Sequence, residues 1–265
     1  MSDGFSGKVA IVTGAGGAVG RAIAARFVSL GGAAMLTDES EQALGHSVAE
    51  MRAPEHRVAK FHTKVQDKLG AANLLAATLD AFERVDILVN IPRATQPGTF
   101  AELDGQGFAE ALYQNVISSF LLSQAVAKRM VREAEGSEGF EGSIINVSSI
   151  AARRTVGRLL AYSVSCAALD QLTRSMAADL APQVRVNGIA LGAVMTERMR
   201  LQLREREDLR GELIRVTPLG RIGEAEEAAE AALFLMSSRA SFITGQIVTV
   251  DGGRSVLDPL ASPVR

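Results

Sequence analysis

Apolar and polar positions along this chain fall into short blocks of two kinds. Compact runs rich in Val, Ile, Leu and Ala, bounded by Gly, Asn or Asp, read as buried strands over residues 8–13, 33–37, 57–62, 85–90, 143–148, 184–190 and 246–250. Between them, apolar residues recur at helical spacing over 18–30, 40–52, 68–82, 107–132, 160–181 and 224–236. Strands that alternate with helices in this way predict an α/β fold, a doubly wound parallel seven-stranded sheet covered by helices on both faces. The polar stretch 135–142 reads as a surface loop, and 191–222 as an irregular region with alternating Arg and Glu after Thr196. A solvated helix laced with ion pairs is the plain reading of that region. No internal repeat is present.

Composition narrows the function classes. The chain has 265 residues, 47% apolar and 22% charged, enough for one large core, so a single domain over 1–265 is expected. A net charge of −2 and no long basic run argue against a nucleic-acid partner. No apolar run is long enough to span a bilayer, and strand-like sequence begins by Lys8, which predicts no leader and a soluble cytoplasmic protein. Cys166 is the only cysteine, so no disulfide can form within the chain.

Two segments carry candidate chemistry. The turn Thr13-Gly-Ala-Gly-Gly-Ala-Val-Gly20 follows the first strand and opens the first helix, a context in which backbone N–H groups and the helix N-terminus meet a pyrophosphate. Asp38 ends the second strand, where a carboxylate accepts from an adenosine ribose and repels a 2′-phosphate, favouring NAD over NADP. Its competing reading is a simple helix cap. The second segment sets Tyr162 four residues before Cys166 and thirteen after Ser149.

These two segments resemble the short-chain dehydrogenase/reductase family, from about Ser6 to Arg254 and ending in Val250-Asp-Gly-Gly. The resemblance implies a Rossmann-type fold with a cofactor half to about residue 135 and an active-site and lid half over about 143–254. It also implies hydride transfer between NAD and a hydroxyl or ketone. Carried over residue by residue, Gly14, Gly16, Ala18, Gly20, Asp38, Asn90, Gly192 and Thr196 correspond to cofactor-binding positions. Asn115, Ser149 and Tyr162 correspond to catalytic ones. Asn115 would support a proton-relay water, Ser149 would polarise the substrate oxygen, and Tyr162 would exchange its proton.

The departures from the family pattern cluster. Cys166 stands where the family has lysine. A phenol titrates near pH ~10, too high for a general base at neutrality unless a neighbouring cation favours its ionised form. A thiol is too short to reach a ribose and cannot supply that charge. Ala18 replaces a glycine, Lys64 an aspartate, Pro92 and Arg93 an Ala-Gly pair, and Leu191 a proline. These changes predict a distorted NAD pocket.

Three readings follow. The leading expectation is a non-catalytic subunit that pairs with an active relative in a hetero-oligomeric dimer or tetramer through the helices at 107–132 and 160–181. The alternatives are a working NAD-dependent oxidoreductase of secondary alcohols with a weakened or displaced base, and a ligand-sensing module. Arg153, Arg154 or Arg158 could supply a substitute charge. The arginines of the lid leave an anionic substrate group conceivable.

Overall fold

The computed structural model describes residues 4–51, 53–92, 94–136 and 141–256. Seven strands, β1 (Val9–Val12), β2 (Ala33–Leu36), β3 (Val58–Lys60), β4 (Ile87–Asn90), β5 (Gly142–Ser149), β6 (Val184–Leu191) and β7 (Ile247–Val250), form one sheet. Their order is β3-β2-β1-β4-β5-β6-β7 and every pairing is parallel, as expected for the doubly wound α/β fold. The chain reverses its winding between β1 and β4, and in open α/β sheets the crevice at that switch, beyond the carboxyl ends of the strands, is where ligands bind.

Successive strand side chains point to opposite faces, so each strand feeds two cores. Ala10, Val12, Leu36, Val89, Ile145 and Ile189 pack with Ile23 and Phe27 of helix α1 (Ala18–Ser29) and Leu233 of α9 (Ala225–Met236). On the other face, Ile11, Met35, Leu88, Ile144 and Val186 meet Leu74 of α3 (Lys68–Phe82) and Leu122, Val126 and Met130 of α5 (Ser118–Gly136). Phe27 is fully buried and its ring lies 4.6 Å from that of Phe5. Truncating such a side chain to alanine costs about 3–5 kcal/mol.

Short polar side chains start several helices where the sequence puts them. Ser40 caps α2 (Glu41–Glu50) through Ala43 N–H at 3.2 Å, and Asp67 caps α3 through Gly70 N–H at 2.7 Å. Asp104 caps α4 (Gly105–Leu112) through Gly107 N–H at 2.7 Å. The expected strand at 57–62 is shorter, because Arg57 closes a short helical turn before β3, and after it Phe61 N–H still donates to Leu36 O at 2.9 Å. Arg52, expected to end the second helix, lies outside the described residues.

The larger difference concerns the expected helix at 107–132. It is two helices, α4 and α5, joined by a π turn over Tyr113–Ile117 that contains Asn115. Such widened turns are frequent at functional sites. The irregular region at 191–222 contains α7 (Glu197–Glu205) and α8 (Leu209–Arg215), with Arg206 paired to Asp208 and Glu212 at 3.5 and 3.0 Å. The long helix that carries Tyr162 and Cys166 is α6 (Leu160–Leu180). Among the described residues no helix is long and apolar enough to cross a membrane.

Candidate active site

The glycine-rich turn is held by contacts that its small residues make possible. Gly14 has φ +62°, a left-handed conformation that costs glycine little. A Cβ on Gly20 would lie 2.4 Å from the Gly14 carbonyl oxygen, so the first turn of α1 packs directly on the turn's backbone. A Cβ on Gly16 would meet Ala43 and the Asp38 carboxylate at 2.8–2.9 Å. Ala18, in place of the family's glycine, is accommodated as the first residue of α1 and is buried.

Asp38 combines both of its expected readings. Its Oδ1 accepts from Ser40 N–H at 3.0 Å and its Oδ2 from Gly16 N–H at 2.9 Å. It therefore organises the entry to α2 and ties β2 to the glycine turn. Lys64 reaches Glu39 at 3.7 Å.

Thr13, Gly14, Asp38, Ser40, Asn90 and Ile91 line a cavity of about 460 Å³ at the β1/β4 switch. Ile91 N–H donates to Thr13 Oγ1 at 2.8 Å, which keeps the segment before Pro92 against β1. Asn90 is buried and donates to Ser123 Oγ at 2.9 Å and Asn146 Oδ1 at 2.8 Å. The expected distortion of the pocket is not found at these positions; Arg93 lies outside the described residues. The N-terminus of α1, the Asp38 carboxylate and the cavity beside them form a set of groups that fits a dinucleotide.

Gly192 and Thr196, also expected at the cofactor, have structural contacts of their own. A Cβ on Gly192 would sit 2.6 Å from that of Asp251, so it serves close packing of β6 against the end of β7. Thr196 accepts from Met199 N–H at 3.1 Å and caps α7.

Ser149 ends β5, Tyr162 lies in the first turn of α6, and Asn115 reaches α6 from the π turn through Ser165. The Ser149 hydroxyl and the Cys166 thiol lie beside the Tyr162 phenol. Burial raises the phenol's pKa well above its ordinary value; Cys166 adds to that rise, while Ser149 and Arg198 oppose it. Burial likewise pushes the Cys166 thiol up to about 11, so it is protonated at neutral pH. Asn115 Nδ2 donates to Ala94 O at 2.7 Å and Ser165 Oγ at 2.9 Å, and Ala94 N–H donates to Asn115 Oδ1 at 3.1 Å. Ser165 Oγ in turn donates to the carbonyl of Tyr162 at 2.8 Å.

The three loop arginines considered as substitute cations are engaged elsewhere. Arg153 approaches Asp170 at 4.0 Å. Arg154 donates to the carbonyls of Arg254 and Ser255 at 3.1 and 3.0 Å. Arg158 pairs with Glu102 at 3.1 Å. Arg198 of α7, whose charge only weakly opposes the rise in the phenol's pKa, donates to Thr95 Oγ1 at 2.8 Å. Sequence reasoning had no signal for this pair, whose members are 103 residues apart.

A family model described as enoyl-(acyl carrier protein) reductase matches residues 14–255. The chain is 34% identical over 250 residues to the 7alpha-hydroxysteroid dehydrogenase of Escherichia coli (strain K12), covering 94% of each chain. It is 36% identical over 257 residues to the galactitol 2-dehydrogenase (L-tagatose-forming) of Cereibacter sphaeroides, covering 95% of this chain and 96% of that one. A solved 7 alpha-hydroxysteroid dehydrogenase complexed with NADH and 7-oxo glycochenodeoxycholic acid superposes with a TM-score of 0.87 and 32% identity, covering 95% of this chain and 96% of that one. These matches overturn the expectation of a non-catalytic partner subunit. Relatives similar along almost their whole length are named as dehydrogenases, and they favour the active oxidoreductase that stood as its alternative. The chain belongs to the short-chain dehydrogenase/reductase family.

Proposed function

We propose that this chain is an NAD-dependent oxidoreductase that interconverts a secondary alcohol and a ketone. The observation that carries the reading is the grouping of Ser149, Tyr162 and Asn115 at the carboxyl edge of the sheet, next to a cavity bounded by the glycine turn and Asp38. The solved relative with NADH and an oxo-steroid supports the cofactor and the substrate class.

The glycine turn, with Gly14, Gly16 and Gly20, would hold the pyrophosphate, and Ala18 would begin the helix whose N-terminus faces it. Asp38 would accept the ribose hydroxyls, favouring NAD. Asn90 would support the far side of the cavity. When bound, the nicotinamide supplies the hydride acceptor or donor. The protein's own residues manage the proton. Ser149 donates to the substrate oxygen and polarises it. In alcohol oxidation the substrate hydroxyl proton passes to the ionised Tyr162 oxygen as hydride leaves carbon; in ketone reduction the protonated phenol returns it. Asn115 fixes the Ala94 backbone and Ser165, and through Ser165 the first turn of α6. The cofactor half and the active-site and lid half act together within one domain.

Because Tyr162 lacks a lysine one turn later, turnover should rise with pH into the alkaline range. Calorimetric titration with NAD, followed by initial rates on a panel of secondary alcohols across pH, tests this. NAD binding with pH-dependent turnover that Tyr162→Phe abolishes is the expected result. Absence of NAD binding would overturn the reading.

A further inference from the structure

The helix α7 has no core of its own. It has nine residues and none of them is buried, so no apolar face presses it onto the body of the protein. Helices shorter than about 12–15 residues are marginal in water, and tertiary packing normally stabilises them. What holds α7 in place is therefore polar. Thr196 caps its first turn, and just before it Met195 N–H donates to Gly223 O at 2.8 Å. Its far end is tied to α8 through Arg206.

The first two residues of α7 reach the two walls of the β1/β4 crevice. Consecutive helical residues point about 100° apart, so neighbours can hold different partners. Glu197 accepts from Arg21 at 2.8 Å, on the helix that the glycine turn opens. Arg21 also stands 3.3 Å from Glu50 of α2, and this second pairing fixes its direction. Arg198 donates to Thr95 Oγ1 at 2.8 Å, on the loop after β4. Thr95 follows Ala94, which lines the cavity and is bonded in both directions to Asn115. The start of α7 thus links the α1 wall to the β4 wall through two contacts on adjacent residues.

We propose that Glu197 and Arg198 form a two-point latch that holds α7 across the crevice, and that the dinucleotide enters and leaves as this latch parts. The proposal rests on the oxidoreductase reading above, which supplies NAD as the occupant. Arg21 and Thr95 are positioning residues, which act through α7 and not on the reacting atoms. Each contact is exposed, and an exposed pair shifts an equilibrium by no more than a few-fold. Two such contacts on one short helix multiply, because α7 must release both before it can move away.

Two measurements on the full chain test it, one of them without any ligand. In amide hydrogen exchange of the protein alone, Arg21→Gln and Thr95→Val should each speed exchange within α7 about two- to fivefold. The double variant should multiply the two effects, while the amides of β1 stay as they were. Arg21→Lys should keep most of the protection. High salt should loosen α7 in the parent protein and change Arg21→Gln little, since it screens the Arg21–Glu197 pair. Stopped-flow NADH fluorescence, free of tryptophan background in this chain, should then show the association and dissociation rates rising together, with Kd little changed. Unchanged exchange of α7 in the double variant would overturn the proposal. Faster exchange in β1 as well would overturn it too, by making these residues supports of the whole fold. So would a rise in the dissociation rate alone, which would make Arg21 an ordinary cofactor contact. Loosening of α7 in a protein that binds no NADH would leave the latch standing and count against the oxidoreductase reading alone.

Discussion

Cys166 lies one helical turn after Tyr162 on α6, where burial raises the pKa of the phenol and the neighbouring cysteine adds to that rise. A lysine at this position would act in the opposite direction, because a cation near a phenol favours the phenolate. The candidate catalytic groups stand close together, while the charge on α6 that would set their working pH is absent.

Cys166→Lys should therefore lower the pH at which turnover reaches half its maximum by more than one unit, and raise the rate at neutral pH about tenfold or more. Initial rates across pH check this. Equal profiles for the two proteins would show that the charge at position 166 does not govern Tyr162.

Gly20→Ala would bring a Cβ to 2.4 Å from the Gly14 carbonyl and 2.9 Å from Ala15 Cα, both backbone atoms that cannot swing aside. Overpacking of this kind costs about 1–3 kcal/mol. The variant should show a lower denaturant midpoint together with lost NAD affinity. Native stability with unchanged affinity would contradict the packing described.

Asp170 is buried, one of its oxygens has no hydrogen-bond partner, and Arg153 stands 4.0 Å from the other. Burial raises its pKa, only partly opposed by Ser148 and Arg153. The folded state then binds this proton more tightly than the unfolded one. Stability falls as pH rises from the ordinary carboxylate range through the raised folded value. Asp170→Asn should remove that penalty and stabilise the protein by about 1 kcal/mol above that window, with no gain in acid. Thermal melts at several pH values decide it.

Glu227 shows the reverse sign. Hydrogen bonds from Arg221 and from the Glu224 N–H, together with the charge of Arg221, hold its pKa down to about 2. Its contribution is complete above the ordinary carboxylate range and is lost as pH falls toward about 2. The pair is exposed, with side chains 52% and 43% accessible, so Glu227→Gln should cost no more than about 1 kcal/mol at neutral pH. Chemical denaturation at pH 7 and in acid measures the difference.

The α/β order, the sheet direction and the glycine turn were legible because each rests on local spacing: alternating blocks, a turn between β1 and α1, an acid after β2. Ser149, Tyr162 and Asn115 were legible as motif positions. Their mutual geometry was not, since it depends on Ser165 and Ala94, which no motif marks. The split of the helix at 107–132 was hidden because a π turn preserves a nearly helical apolar pattern. Arg198 was visible only as one of several lid arginines. What distinguishes it is a bond to Thr95 from a distant loop, and no periodicity encodes that. The leading functional expectation failed because losses counted along the chain imply a dead site, whereas relatives similar along almost their whole length are named as dehydrogenases.

The widened turn at Tyr113–Ile117 sets a limit on how this chain can vary. It holds one residue more than an ordinary helical turn needs, and that surplus orients the Asn115 amide toward Ala94 and Ser165. Deleting a single residue there would tighten α4 and α5 into one regular helix and rotate everything on one side of the cut by about 100° relative to the other. Lineages of this protein should accordingly tolerate exchanges of residue type along these helices far better than a change in their length.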